Sequence, residues 1–214
     1  EIEAQGELEN TIAVYVTDHG DFAGEHGLTQ KNFGIYESIH RIPFIIAGPG
    51  IPAGEIRDAI IDNAGFYPTL AELAGVQNEA GLDGVSAVPE IRGERNGKEF
   101  TVCEWEFVSP QHHVFAVRDR QYRFVHYDAF PNDGELYDCL NDPGELNNLF
   151  RRPEFRHVRE QAEQRIAEYR QNSRRVYSWD DDLPELERTK NTPSVRIHKF
   201  CDTWENVSKE FSLR

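Results

Sequence analysis

Between Thr11 and Thr17 the chain reads TIAVYVT, apolar or β-branched at nearly every position, and Ile42–Ala47 (IPFIIA) repeats that pattern. Short continuous apolar runs, without the alternation of a half-buried strand, are those of strands covered on both faces. A dense cluster of turn residues, GPGIPAGE at 48–55, stops the second run. Residues 1–9 are polar and acidic, suited to the end of a helix or its linker. Farther on, Asn63 is placed to cap a helix running to about Ala74, with Phe66, Leu70 and Leu73 on one face and Gly75 as its stop. Strand, loop, strand and helix in this order predict the edge of an α/β domain with a mostly parallel sheet.

Near Gly97 the pattern changes. Phe100–Phe107, Val114–Arg118, Tyr122–Tyr127 and Glu135–Tyr137 are short candidate strands separated by turns such as RDRQ and FPNDG, the pattern of an antiparallel meander. The stretch RPEFRHVREQAEQRIAEYRQ (152–171) then places apolar residues at helical spacing among charged ones, with Pro153 in the first turn. The expected organisation is an α/β portion over 1–98, a small antiparallel sheet-and-helix subdomain over 99–172, and an extended tail over 173–214. In that tail Trp179, Phe200, Trp204 and Phe211 supply apolar anchors, for packing on its own domain or for contact with a second copy.

Composition narrows the class. With 38% hydrophobic and 29% charged residues in 214, the chain is globular and long enough for a sizeable core. No apolar stretch is long enough to span a membrane. A net charge of −15 repels nucleic acid and anionic membranes, and no basic stripe offsets it. An anionic substrate would therefore need a local positive field from a metal or a cleft lysine or arginine. Cys103, Cys139 and Cys201 form no Cys-x-x-Cys pair and are too few and too scattered for a disulfide scaffold.

The chemistry concentrates in VTDHGDFAGEHGLTQK, residues 16–31, directly behind the first apolar run. Ligands of open α/β sheets gather at the carboxyl ends of strands, where Asp18, His19 and Gly20 fall. Asp18 offers an anionic oxygen and His19 an imidazole nitrogen, a natural metal-binding pair, while Gly20 would free the backbone to turn both toward one site. The alternative is a polar turn in which Asp18 accepts backbone hydrogen bonds. His26 has the pKa range of a proton donor. Flanked by glycines, it could equally close its loop through a backbone hydrogen bond. Lys31 is either an anion-binding ammonium or an ordinary surface lysine. Glu37 and Arg41 are expected to pair or pack near the second strand, and His112 and His113 to lie on the surface.

These residues carry a resemblance. Asp18-His19-Gly20, Gly24-Glu25-His26-Gly27, Lys31, Tyr36-Glu37 and Arg41-Ile42-Pro43 match, in order, a series found in the sulfatase family of the alkaline phosphatase superfamily. The likeness continues through IIAGPGI, FYPTLAELAGV, GLDGVS and ELYDCLNDPGELNNL, to about residue 150. It implies an alkaline-phosphatase-like α/β fold with a small antiparallel α+β subdomain, of which this chain resembles the C-terminal portion. It further implies a sulfuric ester hydrolase in which Asp18 and His19 bind the metal and Lys31 contacts the sulfate and the leaving-group oxygen. The family usually holds calcium, but imidazole suits manganese or zinc, which leaves all three metals open. The implied substrate is a sulfate ester or sulfated saccharide.

The family attacks its ester with a formylglycine made from a Cys/Ser-x-Pro/Ala-x-Arg motif. None of the three cysteines has that context, and NTPSVR at 191–196 carries asparagine at the nucleophile position. Formylglycine and the family's paired aspartates are accordingly expected in an N-terminal half that precedes this stretch, and the 214 residues alone are expected to bind metal weakly and hydrolyse nothing. Two alternatives stay open: a phosphomonoester, phosphodiester or phosphonate hydrolase of the same superfamily, and a non-catalytic binding or assembly module.

Overall fold

A computed structural model describes residues 2–31, 35–77, 82–106 and 113–173. The chain divides into two compact units, one of Glu1–Thr101 with Val117–Arg123 and Tyr137–Asn148, the other of Val102–Ala116, Phe124–Leu136 and the residues from Leu149 onward.

In the first unit the two apolar runs form strands β1 (Ala13–Val16) and β2 (Phe44–Ala47). They pair with each other antiparallel, with Ala13 opposite Ala47 and Val16 opposite Phe44, so the parallel pairing expected of the α/β sheet does not occur between these two. The physical reason lies in the connection. The described residues of 17–43 hold only a 3-10 turn at Glu25–Gly27 and one helical turn, α1 (Glu37–His40), where a parallel crossover usually runs through a full helix across the sheet. Nor are the strands covered on both faces here, since Tyr15 and Ile45, cross-strand partners, are 64% and 61% exposed.

Helix α2 (Phe66–Leu73) forms where expected but is entered through a short 3-10 turn, Asn63–Gly65. Asp62 caps that turn, its carboxylate accepting from the Gly65 N–H at 3.2 Å, and Asn63 is left for another task. The buried face is Pro68, Thr69 and Ala71, with Phe66, Leu70 and Leu73 only half-buried. Gly75, at φ 69°, ends the helix as expected. A last helical turn, α3 (Val88–Ile91), buries Val88, Glu90 and Ile91.

The meander forms as the alternation predicts. Strands β3 (Phe100–Glu106), β4 (His113–Asp119), β5 (Tyr122–Tyr127) and β6 (Gly134–Asp138) lie side by side in chain order. Only two residues join β4 to β5, a link too short for anything but an antiparallel hairpin. Helix α4 (Arg156–Asn172) begins after a 3-10 turn at Pro153–Phe155 and buries Val158, Ala162 and Ile166, one stripe at i, i+4 and i+8. Its charged residues stay outside, Arg156 pairing with Glu160 across one turn. The second unit centres on Phe115, Phe124, Val125 and Leu136, none more than 2% exposed. Each such side chain contributes about 1.5–3 kcal/mol by leaving water. The tail and its four aromatic anchors lie outside the described residues.

Candidate active site

The loop behind β1 presents Asp18 and His19 together. Asp18 is exposed, and the His19 backbone N–H donates to its Oδ1 at 3.0 Å. That hydrogen bond is the main cause holding the Asp18 carboxyl below the usual carboxylate range, so it stays anionic. Thr17 Oγ1 adds a longer bond at 3.3 Å, and the Asn63 side chain donates to the Asp18 carbonyl at 3.1 Å. Asn63 thus holds the site rather than the helix.

His19 Nδ1 lies 2.7 Å from the Gly20 carbonyl oxygen. A carbonyl only accepts, so in the neutral ring this bond puts the proton on Nδ1 and the lone pair on Nε2. Nε2 lies 3.6 Å from Asp18 Oδ2. A lone-pair nitrogen and an anionic oxygen therefore face the same region, with the histidine oriented as metal-ligating imidazoles are by their second nitrogen. The donor set fits one side of a divalent-cation site. Among the described residues no group of three or more His, Cys, Asp or Glu could hold a metal ion by itself.

Gly20 serves a purpose different from the expected freedom to turn, since its φ is not positive. Its N–H donates to the Ile39 carbonyl at 2.8 Å, and a Cβ at this position would lie 1.8 Å from the Ser38 carbonyl oxygen. The requirement is close backbone approach. Gly20→Ala is expected to destabilise the fold by about 1–3 kcal/mol, as overpacking against an unyielding neighbour does. Denaturant unfolding checks this: a midpoint equal to the wild type would mean that the approach is dispensable.

The loop that follows is closed by its own backbone, Phe22 N–H to the Gln30 carbonyl at 3.0 Å and Gly24 N–H to the Leu28 carbonyl at 2.9 Å. Three of its non-glycine residues have positive φ: Ala23 (47°), His26 (52°) and Gln30 (61°). Such conformations cost energy and persist where the surroundings over-determine them. The His26 ring stacks on Tyr36 with centroids 3.9 Å apart, and its buried Nε2 has no hydrogen-bond partner among the described residues. His26 Nε2 therefore does not close the loop by a backbone hydrogen bond; the ring stack takes that place. Lys31, at the end of this loop, is exposed.

Glu37 does not pair with Arg41. Its Oε1 accepts from Arg118 Nε and from the Arg123 guanidinium, both at 2.6 Å, because the first unit draws these two arginines from the β4–β5 hairpin, while Arg41 stays exposed. Burial pushes the Glu37 carboxyl up, but hydrogen bonds and charge from Arg118 and Arg123 outweigh it and leave it below the usual range. Arg123, 1% exposed, also donates to the Ile35 carbonyl, and its Nε lies 2.7 Å from Glu145 Oε1 as a charge contact rather than an aligned hydrogen bond. Glu145, 3% exposed and at φ 51°, accepts the Glu37 backbone N–H on Oε2 at 2.7 Å. Burial pushes its carboxyl up, with the Arg123 charge only partly offsetting this.

Sequence reasoning missed this cluster. Arg123 looks like an outward-facing strand residue, and its clue is the otherwise apolar YRFVHY around it. His113 departs from its expected surface position. It is 5% exposed, with ring nitrogens 3.9 Å from carboxylate oxygens of Glu104 and Asp128, and it lines a recess of about 250 Å³ in the second unit. His112 lies outside the described residues. Cys103 and Cys139 form no disulfide among the described residues.

This loop-and-meander arrangement is that of the C-terminal part of the alkaline phosphatase superfamily fold. The chain belongs to the sulfatase family, matching the model of the N-sulphoglucosamine sulphohydrolase C-terminal region over residues 24–172. It is 34% identical to an N-acetylglucosamine-6-O-sulfatase of Bacteroides thetaiotaomicron over 179 residues, 78% of this chain and 31% of that protein. Against a choline-sulfatase of Rhizobium meliloti it is 37% identical over 151 residues, 68% of this chain and 28% of the relative. The chain thus spans about a third of the length of the curated relatives it matches. Among solved structures, one in complex with its substrate D-glucosamine-2-N,6-O-disulfate superposes with a TM-score of 0.71 at 31% identity, covering 80% of this chain and 37% of the other. A phosphonate monoester hydrolase of Agrobacterium radiobacter reaches the same TM-score at 23% identity, a likeness of fold alone.

Proposed function

We propose that the whole protein is a metal-dependent sulfuric ester hydrolase acting on a sulfated saccharide, to which this chain contributes Asp18 and His19 as metal ligands and Lys31 as the sulfate-contacting cation. The observation that carries the reading is the paired donors, an ionised Asp18 carboxylate and the His19 ring with Nδ1 held on the Gly20 carbonyl and Nε2 turned toward Asp18, within a chain of the sulfatase family.

A bound divalent cation would supply a positive centre for the sulfate oxygens. The two donors suit calcium, manganese or zinc. Lys31 carries a compact charge on a flexible stem, which lets it follow an oxygen whose charge grows as the ester bond breaks. Its exposed position lets the ammonium meet a ligand. His26 is the candidate proton donor of the site, with a half-buried ring already oriented by Tyr36. The sulfated glucosamine bound in the structural relative makes an N- or O-sulfated hexosamine the first substrate to try.

Hydrolysis of an aryl sulfate, a sulfated glucosamine and an aryl phosphate by the full-length protein, before and after chelation, tests the reading. Sulfate release that chelation abolishes is expected. Faster release of phosphate than of sulfate would move the protein to the phosphoester branch of the superfamily.

A further inference from the structure

We propose that Glu145, acting with Arg123, is a positioning residue that holds the loop bearing His26 and Lys31, with Tyr36 as the strut between them. The catalytic part of this inference rests on the role proposed for Lys31. The mechanical part does not.

The argument begins with where the buried charges point. Two ionic groups taken out of water are no more stabilising than apolar side chains of the same volume, so a buried pair calls for an account beyond stability. Here both groups reach the same stretch of backbone. Glu145 Oε2 takes the Glu37 N–H, and Arg123 donates to the Ile35 carbonyl and to the Glu37 carboxylate. These contacts fix the chain on either side of Tyr36. If that backbone moved away, each would keep the other as its charge partner but lose its hydrogen bonds to the chain beside Tyr36, with almost no water to replace them.

Tyr36 passes the constraint on. Its ring stacks on His26 at 3.9 Å and 17° and meets Phe22 edge-on at 5.9 Å. Phe22, 2% exposed, opens the loop that Gln30 closes, and Lys31 follows Gln30 directly. Three positive-φ residues sit between, so this loop holds its shape only against an external template. The stacked ring and the anchored backbone behind it are that template.

Hydrogen exchange on the full-length protein tests the strut without any activity. In Glu145→Gln the amides of Phe22 and Gly24, which close the loop, should exchange faster by roughly tenfold or more, as expected when a local unit loosens. Glu90→Gln is the control. It breaks another glutamate–arginine pair of the same unit, buried Glu90 with exposed Arg95, yet touches nothing in this loop. Unchanged loop exchange in Glu145→Gln, or an equal rise in Glu90→Gln, overturns the proposal. Should Glu145→Gln fail to fold, Tyr36→Leu carries the test, because it leaves the Glu37, Arg123 and Glu145 side chains in place and removes the ring that meets His26 and Phe22. It too should loosen the loop, and unchanged exchange there is equally fatal.

Kinetics then separate the two layers. Glu145→Gln should lower kcat by roughly tenfold with KM little changed, since small misplacements of a catalytic group act on the transition state. In a Lys31→Ala background the same substitution should cost less, because one of the two groups it positions is gone. Equal losses in both backgrounds would remove the link to Lys31. A silent Lys31→Ala would sink the reading of the active site, while the exchange result would still decide the strut.

Discussion

Lys31→Ala in the full-length protein is expected to lower kcat on an aryl sulfate by roughly a hundredfold or more, the usual loss when one charge-stabilising donor is removed from a reacting centre. The expectation rests on three observations. Lys31 stands at the end of a loop whose backbone is held in costly conformations, its side chain is exposed, and against a net charge of −15 an anionic substrate needs a local cation to meet it. Exposure also makes the experiment clean. Surface substitutions away from special features change stability by about 0.5 kcal/mol or less, so a loss of turnover with an unchanged melting temperature cannot be blamed on unfolding. Lys31→Arg keeps the charge but changes its shape, and should recover part of the activity. Wild-type kinetics in Lys31→Ala would remove the residue from the mechanism.

The second large effect concerns Asp18. Asp18→Asn keeps the size of the side chain and its bond from the His19 N–H, but replaces an anionic oxygen with a neutral amide. Groups that merely orient a metal ligand cost roughly 10–100-fold in affinity when changed, so loss of a direct anionic ligand should cost at least that. Calorimetric titration of calcium, manganese and zinc into the wild type and Asp18→Asn measures this directly, whatever the substrate. Because Asp18 is exposed, thermal stability without metal should barely change. Equal metal affinities in the two proteins would show that the Asp18–His19 pair is only a polar turn.

Much of this was legible in the residues. The four strands of the meander appear within a residue or two of the expected positions, and helix α4 ends within one but starts four residues late, behind a 3-10 turn, because alternation and helical spacing report local burial directly. The Asp18–His19 pair stands out in the sequence because a carboxylate beside an imidazole at the end of a strand is a metal-ligand pattern, and the titration above tests whether it acts as one. The pairing of β1 with β2 was not legible, since apolar runs reveal burial without revealing which strand lies alongside. The charge cluster was less visible still. Glu37, Arg123 and Glu145 are 86 and 22 positions apart in succession, and beyond the YRFVHY around Arg123 nothing local marks them as buried. His113 illustrates the same limit, being a polar residue kept inside by partners that only the fold brings to it.

The backbone at Glu145 constrains which sequences this site can accept. At φ 51° the position favours glycine, asparagine or aspartate over any longer side chain, by roughly a kilocalorie per mole. Glycine would relax the turn and delete the carboxylate. Aspartate would suit the turn but, one methylene shorter, would fall short of spanning the Glu37 amide and the Arg123 guanidinium together. Two selections thus pull in opposite directions at one residue, local conformational ease against distant reach. In a saturation library screened for function, position 145 should return almost only glutamate, although a library screened for backbone preference alone would discard it.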